Sequence, residues 1–265
     1  MFSEDSNVAD KICEATEYFY KEFYNKNLFP DIVDCDYQGY KKLMTTSNGI
    51  NWDDVIAVRK RNYLVQRILI HLDFHVDATL DIAFLNQYID SLDLKNENFA
   101  DYLSMVPEIR SKIIIENRDA MLKNDIDAGI LLNALYILKQ YDEIINFPKT
   151  DIGAYFLFLG FVYADIEQEN DMIPALIKYF EISNHRAYIK EISDMSNNRF
   201  RAFDLLCGAL VELGEKKKAL WYFEKMKEYY FTNYRVNDIE DSVTSSVQKK
   251  HYDLIIKYNQ YFRDN

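Results

Sequence analysis

The stretch His71-Leu72-Asp73-Phe74-His75 carries the spacing most suggestive of chemistry. On an unbroken helix, His71 and His75 stand at i and i+4 on one face, which is metal-ligand spacing. A zinc protease built on this pattern needs a glutamate directly after the first histidine to act as base, and Leu72 stands there instead. A third ligand could come from Asp73, Asp77 or Asp81, although Asp73 projects from another face of the helix. His71 and His75 are therefore a bare metal candidate, and no cofactor is expected. His185 and His251 stand alone, and no Glu-x-x-His pair occurs for a helical di-metal site. Neither GxGxxG nor GxxxxGK[ST] is present, so a phosphate cradle is lacking. Cys13, Cys35 and Cys207 are far apart, with no CxxC pair and no local nucleophile pattern, which fits reduced thiols in a cytoplasmic protein. Carboxylates are abundant, but pairing two of them as acid and base requires geometry. A non-enzyme is expected, with a helical enzyme or enzyme subunit using His71 and His75 as an alternative.

Binding chemistry is the next possibility. Tyr18-Phe19-Tyr20 and Tyr229-Tyr230-Phe231 could stack on bases or sugars, but at helical spacing they read as core and rim packing. The formal charge is −12, a sign that repels phosphate backbones, so nucleic acid is not the expected partner. Two basic runs, Arg59-Lys60-Arg61 with Arg67 and Lys216 to Lys218, read as solvated helix faces. The N-terminus, MFSEDSNVADK, has acids where a signal peptide needs a basic start. The longest apolar run, Ile152 to Ala164, covers 13 residues, short of the roughly 18 that indicate a membrane span. No membrane association is expected.

The elements that would position such groups are helices. Gly and Pro number 7 and 4 among 265 residues, where average usage would give roughly 30. Sheets need such residues at their turns, so their scarcity predicts an all-α chain. The 21 Tyr and 17 Phe suit the spaces between packed helices. Ser6 can cap a first helix with the stripe Val8, Ile12, Ala15, Phe19 and Phe23, and a short helix is expected over 37–44. Further helices are expected from Asn51 to about His71 and over 78–91, 97–104 and 107–123. From about residue 125 the helices come in pairs: 127–139 with 141–147, 152–166 with 171–184, and 199–213 with 215–231. A helix near 185–194 precedes the last pair, and one over 238–262 has a single apolar stripe, as the closing helix of a stack requires. The division expected is a helical region over 1–124 and a paired-helix region over 125–265, possibly continuous with it as one domain.

The segment Phe200 to Met226 is the clearest pair. Phe203, Leu206, Cys207 and Leu210 mark its first helix, Gly214 its turn, and Ala219 and Phe223 its second helix. Cys207 and Ala219 are small enough for close approach, and Phe203 and Phe223 fill the gaps beside them. A second match has Phe156, Leu159, Gly160 and Tyr163, followed by Ala175 and Tyr179 after three extra turn residues. A third is weaker: Leu131, Leu135, Tyr141 and Ile144, cut short by Pro148. This pattern resembles the tetratricopeptide repeat, over about 125–231. The resemblance implies a helical-hairpin array or right-handed superhelix in the second half, preceded by an irregular helical bundle.

It also implies a groove lined by the first helix of each repeat, at Ala154, Leu157, Phe161 and Asp165 and at Arg201, Asp204, Gly208, Val211 and Glu212. Chaperone-binding members that grip a carboxylate there present Lys, Arg and Asn; the acids of this chain depart from that pattern. A mixed apolar and acidic groove suits another protein or a peptide that is basic or amphipathic. The expected function is a non-enzymatic scaffold or adaptor, with a peptide-responsive regulatory sensor as the other non-enzymatic alternative.

Overall fold

The computed structural model describes residues 52–94, 99–183, 193–233 and 246–264. Among the described residues it is all-helical, with twelve α-helices and no strand. The expected helices over 8–23 and 37–44, most of 185–194, and the start of 238–262 lie outside the described residues, as do Cys13 and Cys35. The chain divides into two compact units, one ending at Asn117 and the other beginning at Arg118.

In the first unit, α1 (Trp52–His75) packs against α2 (Ala83–Asp90), α3 (Phe99–Ser104) and α4 (Val106–Glu116). Leu64, Ile68 and Leu72 recur at i, i+4 and i+8 along α1 and are buried with Leu85, Ile89, Phe99, Ile109 and Ile113. That stripe is the one-faced spacing by which a helix meets a core. Pro107 occupies the first turn of α4 as expected, where a missing N–H costs nothing. Asn117 ties the loop before α2 to the end of α4. Its amide nitrogen donates to the carbonyls of Ile113 and Asp81, and its oxygen accepts from the Asp81 amide at 2.8 Å. The segment expected as one helix over 107–123 is broken at Asn117, after which α5 (Arg118–Met121) starts the second unit.

The second unit continues with α6 (Asp125–Ile137), α7 (Tyr141–Ile145), α8 (Gly153–Asp165), α9 (Glu169–Ser183), α10 (Ser193–Glu212), α11 (Lys216–Asn233) and α12 (Ser246–Asp264). Asn124 caps α6 by accepting from the Asp127 amide at 2.8 Å. Packing follows chain order. Within pairs, α6 meets α7, α8 meets α9 and α10 meets α11; between pairs, α6 meets α8, α8 meets α10, and α7 and α9 each meet the following first helix. Finally α12 rests on α10 and α11.

The three pairs share one turn. Lys139, Glu167 and Gly214 have φ of 56°, 59° and 74°, and among the described residues no others lie in the left-handed region. In each case the residue after this one returns its amide to a first-helix carbonyl five positions back: Gln140 to Leu135, Gln168 to Tyr163, Glu215 to Leu210, at 2.8 to 2.9 Å. A shorter loop runs from Lys139 to Tyr136, Glu167 to Ala164 and Gly214 to Val211. This is the double-bonded cap that satisfies the orphan carbonyls of a helix end. The second helix then starts at once, since the Gln140, Gln168 and Glu215 carbonyls already accept from the residues three and four ahead.

That common turn corrects the register expected for the middle pair. There are no three extra turn residues: counted from the turn, Met172 and Leu176 stand where Ala219 and Phe223 stand. Ala175 and Tyr179 are buried in α9 all the same. Nor does Asp171 cap α9. The helix opens at Glu169 and holds Pro174 in its interior, at the exposed position 174, where the lost N–H bond is least costly.

Close approach is visible where the small residues sit. A Cβ on Gly160 would lie 2.4 Å from Leu176 Cδ2 and 2.7 Å from its Cγ, so α8 and α9 touch backbone to side chain. In the last pair, the Cys207 thiol reaches the Ala219 carbonyl at 3.7 Å, and both residues are fully buried. Phe156 and Tyr163 are partly buried, while Leu159, Phe203, Leu206 and Phe223 join the core.

Candidate functional site

Phe161 and Asp165 share a face of α8 because they are four residues apart, and Arg201 projects toward them from α10. The Arg201 guanidinium donates to Asp165 Oδ1 at 3.0 Å and lies over the Phe161 ring at 4.4 Å and the Tyr136 ring at 5.4 Å. The other carboxylate oxygen, Asp165 Oδ2, accepts from the hydroxyls of Tyr136 at 2.7 Å and Tyr141 at 2.8 Å. Four helices therefore meet on one carboxylate. Burial, and then the Asp165 carboxylate, push the Tyr136 phenol up to about 12, so it remains a hydrogen-bond donor at neutral pH. The same carboxylate is the main cause that raises Tyr141. Arg201 and Asp165 keep 41% and 28% of their side-chain surface, enough to meet a second molecule at their edges. Phe161 and Leu157 are fully buried and form the floor beneath.

Asp204 lies in a different setting. The Tyr258 hydroxyl of α12 is 2.9 Å from Asp204 Oδ1 and 3.0 Å from its carbonyl oxygen, and donates to this pair. Lys257 Nζ is 3.6 Å from the same carboxylate. Burial and the Asp204 charge both raise the Tyr258 phenol, which stays protonated. A Cβ on Gly208, one turn along, would be 3.7 Å from the Tyr258 hydroxyl. Val211 is half-buried and Glu212 is exposed at the end of α10. The expected groove residues thus separate into the Phe161–Asp165–Arg201 cluster, Asp204 engaged by α12, buried Leu157, and the open pair Val211 and Glu212.

The roles of three members at these carboxylates carried no signal in the sequence: Tyr136 and Tyr141 belong to the most degenerate pair, where Tyr141 was read only as a packing position, and Tyr258 reaches a partner 54 residues away.

The Asp165 carboxylate already accepts from three donors, the Tyr136 and Tyr141 hydroxyls and the Arg201 guanidinium. Burial lifts the Cys207 thiol to about 12, which leaves almost no thiolate to react. Among the described residues, no group of three or more His, Cys, Asp or Glu is placed to hold a metal. α1 does run unbroken through residues 71 and 75, but the side chains of His71 and His75 lie outside the described residues. No helix among the described residues is long and apolar enough to cross a membrane.

The arrangement defines an all-helical protein whose second unit is built of successive packed helix pairs. Comparison with family models, with curated proteins and with solved structures finds no match.

Proposed function

We propose that the second unit is a helical-repeat scaffold of the tetratricopeptide kind, and that it binds another polypeptide without catalysing a reaction. One observation carries this reading: three successive helix pairs are closed by the same left-handed turn with the same hydrogen bonds. Units joined alike and packed only on their neighbours stack into a continuous surface, which is the physical basis of repeat scaffolds. The first helices of consecutive pairs approach one another closely. A Cβ on Gly129 would be 3.2 Å from Ala154 Cβ, and Arg201 spans from α10 to α8. The surface so formed is mixed in character, offering the edges of Arg201 and Asp165, the phenols of Tyr136 and Tyr141, and the open Val211 and Glu212.

A basic or amphipathic peptide suits this surface better than nucleic acid, since the chain carries −12 overall. A buried, unreactive thiol at Cys207 suits a reducing cytoplasm. The test is saturable binding of short basic amphipathic peptides by fluorescence polarisation. Glu212→Lys and Val211→Asp should weaken it about tenfold, the scale of one lost interface contact. Asp204 is left unchanged because it holds α12. Peptides that bind both variants as tightly as the parent chain would refute this location, and an absence of saturable binding would refute the function.

A further inference from the structure

The cage around Asp165 is built by the first two helix pairs and filled by the third. Tyr136 of α6 and Tyr141 of α7 stack at 6.1 Å, and both donate to Asp165 Oδ2. Phe161 is wedged against Phe158 and Tyr136, at 5.9 and 5.7 Å between ring centres. These contacts fix the carboxylate and the rings from within α6, α7 and α8. The cation that occupies the cage comes from elsewhere: Arg201 of α10 donates to Oδ1 and covers the faces of Phe161 and Tyr136.

The occupant is the loosely held part. Because both phenols take Oδ2, Arg201 reaches the carboxylate through one N–H, at 3.0 Å. Its side chain keeps 41% of its surface and that of Asp165 28%, and an ion pair this open is screened and contributes little. Rotating the Arg201 side chain outward would return its charge to water. The ring faces it now covers would then open on the side from which it left.

We infer that the cage formed by Tyr136, Tyr141, Phe161 and Asp165 binds an arginine side chain of a partner polypeptide, which takes the place of Arg201. This rests on the peptide-binding role proposed for the second unit and names the residue recognised. The exchange keeps each contact, since the incoming guanidinium donates to Oδ1 and lies over the same two faces. No ring has to be prised from its neighbours. Lysine fits less well, because its compact, strongly hydrated ammonium cannot stack as a plane. The chain's charge of −12 favours approach of a cation. Arg201 then acts as a built-in competitor, and a partner's apparent affinity falls with the fraction of molecules whose cage is open.

The test titrates the intact chain with N-acetylarginine methylamide, its lysine counterpart and its neutral citrulline counterpart, followed by saturation-transfer NMR. The arginine compound should bind the parent chain saturably, the lysine compound more weakly, and the citrulline compound not at all. Arg201→Ala should tighten arginine binding about tenfold, the combined scale of an exposed ion pair and an exposed cation–π contact. Arg201→Gln keeps the length of the side chain without its charge; it should also bind more tightly and carries the test if the alanine variant does not fold. Adding Asp165→Asn to either variant should abolish the gain. Arg201 variants that bind no more tightly than the parent, equal binding of the arginine compound and either counterpart, indifference to Asp165→Asn, or no binding to the parent would each overturn the assignment. The arginine pattern in a chain that binds no basic amphipathic peptide would refute the scaffold function and leave this site standing. Peptides that bind the parent and Arg201→Gln equally would refute the exchange and leave the scaffold function standing.

Discussion

Gly160 allows a sharp energetic test of how α8 and α9 meet. A methyl group there would overlap Leu176, whose Cγ and Cδ2 lie 2.7 and 2.4 Å from the added atom. Leu176 is fully buried, so in a close-packed interior it can swing aside only by displacing its neighbours. Forcing one carbon into a packed interior costs about 1–3 kcal/mol, and an approach this short belongs at the upper end. Against that, alanine is favoured over glycine inside a helix by about 1 kcal/mol. Gly160→Ala should therefore destabilise the pair by about 2 kcal/mol. Leu176→Ala alone removes a buried isobutyl group at a cost of about 2–5 kcal/mol. In that background the clash is gone, so adding Gly160→Ala should stabilise by about 1 kcal/mol. The same substitution thus changes sign with its neighbour, a coupling of about 3 kcal/mol. Because the chain has two compact units, amide hydrogen exchange in α8 and α9 is the suitable measure, since it reads local opening rather than a global midpoint. If Gly160→Ala has the same sign in both backgrounds, the close crossing is not as described.

Other outcomes follow from the turns, from α12 and from His251. Lys139→Gly and Glu167→Gly should each stabilise by about 0.5–1 kcal/mol, because both residues hold a left-handed φ that glycine adopts freely, whereas Gly214→Ala should cost about 1 kcal/mol; thermal unfolding checks all three. Tyr258→Phe should cost about 1 kcal/mol by leaving Asp204 without its phenol, and limited proteolysis should then cut α12 sooner. His251 stacks on Phe200 at 3.8 Å, and burial lowers its pKa to about 4. The unfolded chain takes up this proton first, so the stability is whole above about pH 6.5 and lost as pH falls toward 4. At 1.36 kcal/mol per unit the loss is at most about 3 kcal/mol; a His251→Phe variant should show a flatter decline between those values in urea titrations.

Residue type made the packing legible but concealed the turns. Gly160 and Cys207 were readable as crossing points because close helices leave room for little else. Gly214 was readable because glycine advertises a left-handed φ. Lys139 and Glu167 adopt the same conformation without that advertisement, which is why the middle pair was expected to have a longer turn and why Ala175 and Tyr179 were set in the wrong register. Helix ends followed a similar rule: Pro174 looked like a first-turn residue, yet the geometry imposed by Glu167 started α9 earlier. The side-chain clusters were less accessible still. That Asp165 would gather two phenols and a guanidinium depends on how three pairs rotate against each other, and nothing in local spacing encodes that rotation.

The docking of Tyr258 beside Gly208 has a consequence for assembly. Where another pair would otherwise be added, α12 lays down a helix whose exposed residues mix Lys249, Asp253, Lys257 and Gln260 with Tyr252 and Ile256. Cutting the chain after α11 would uncover Phe223, Met226 and Tyr230, side chains now almost wholly enclosed, and turn a covered edge into an adhesive one. Concentration-dependent self-association of such a fragment would be the natural result, because α12 is what covers this edge.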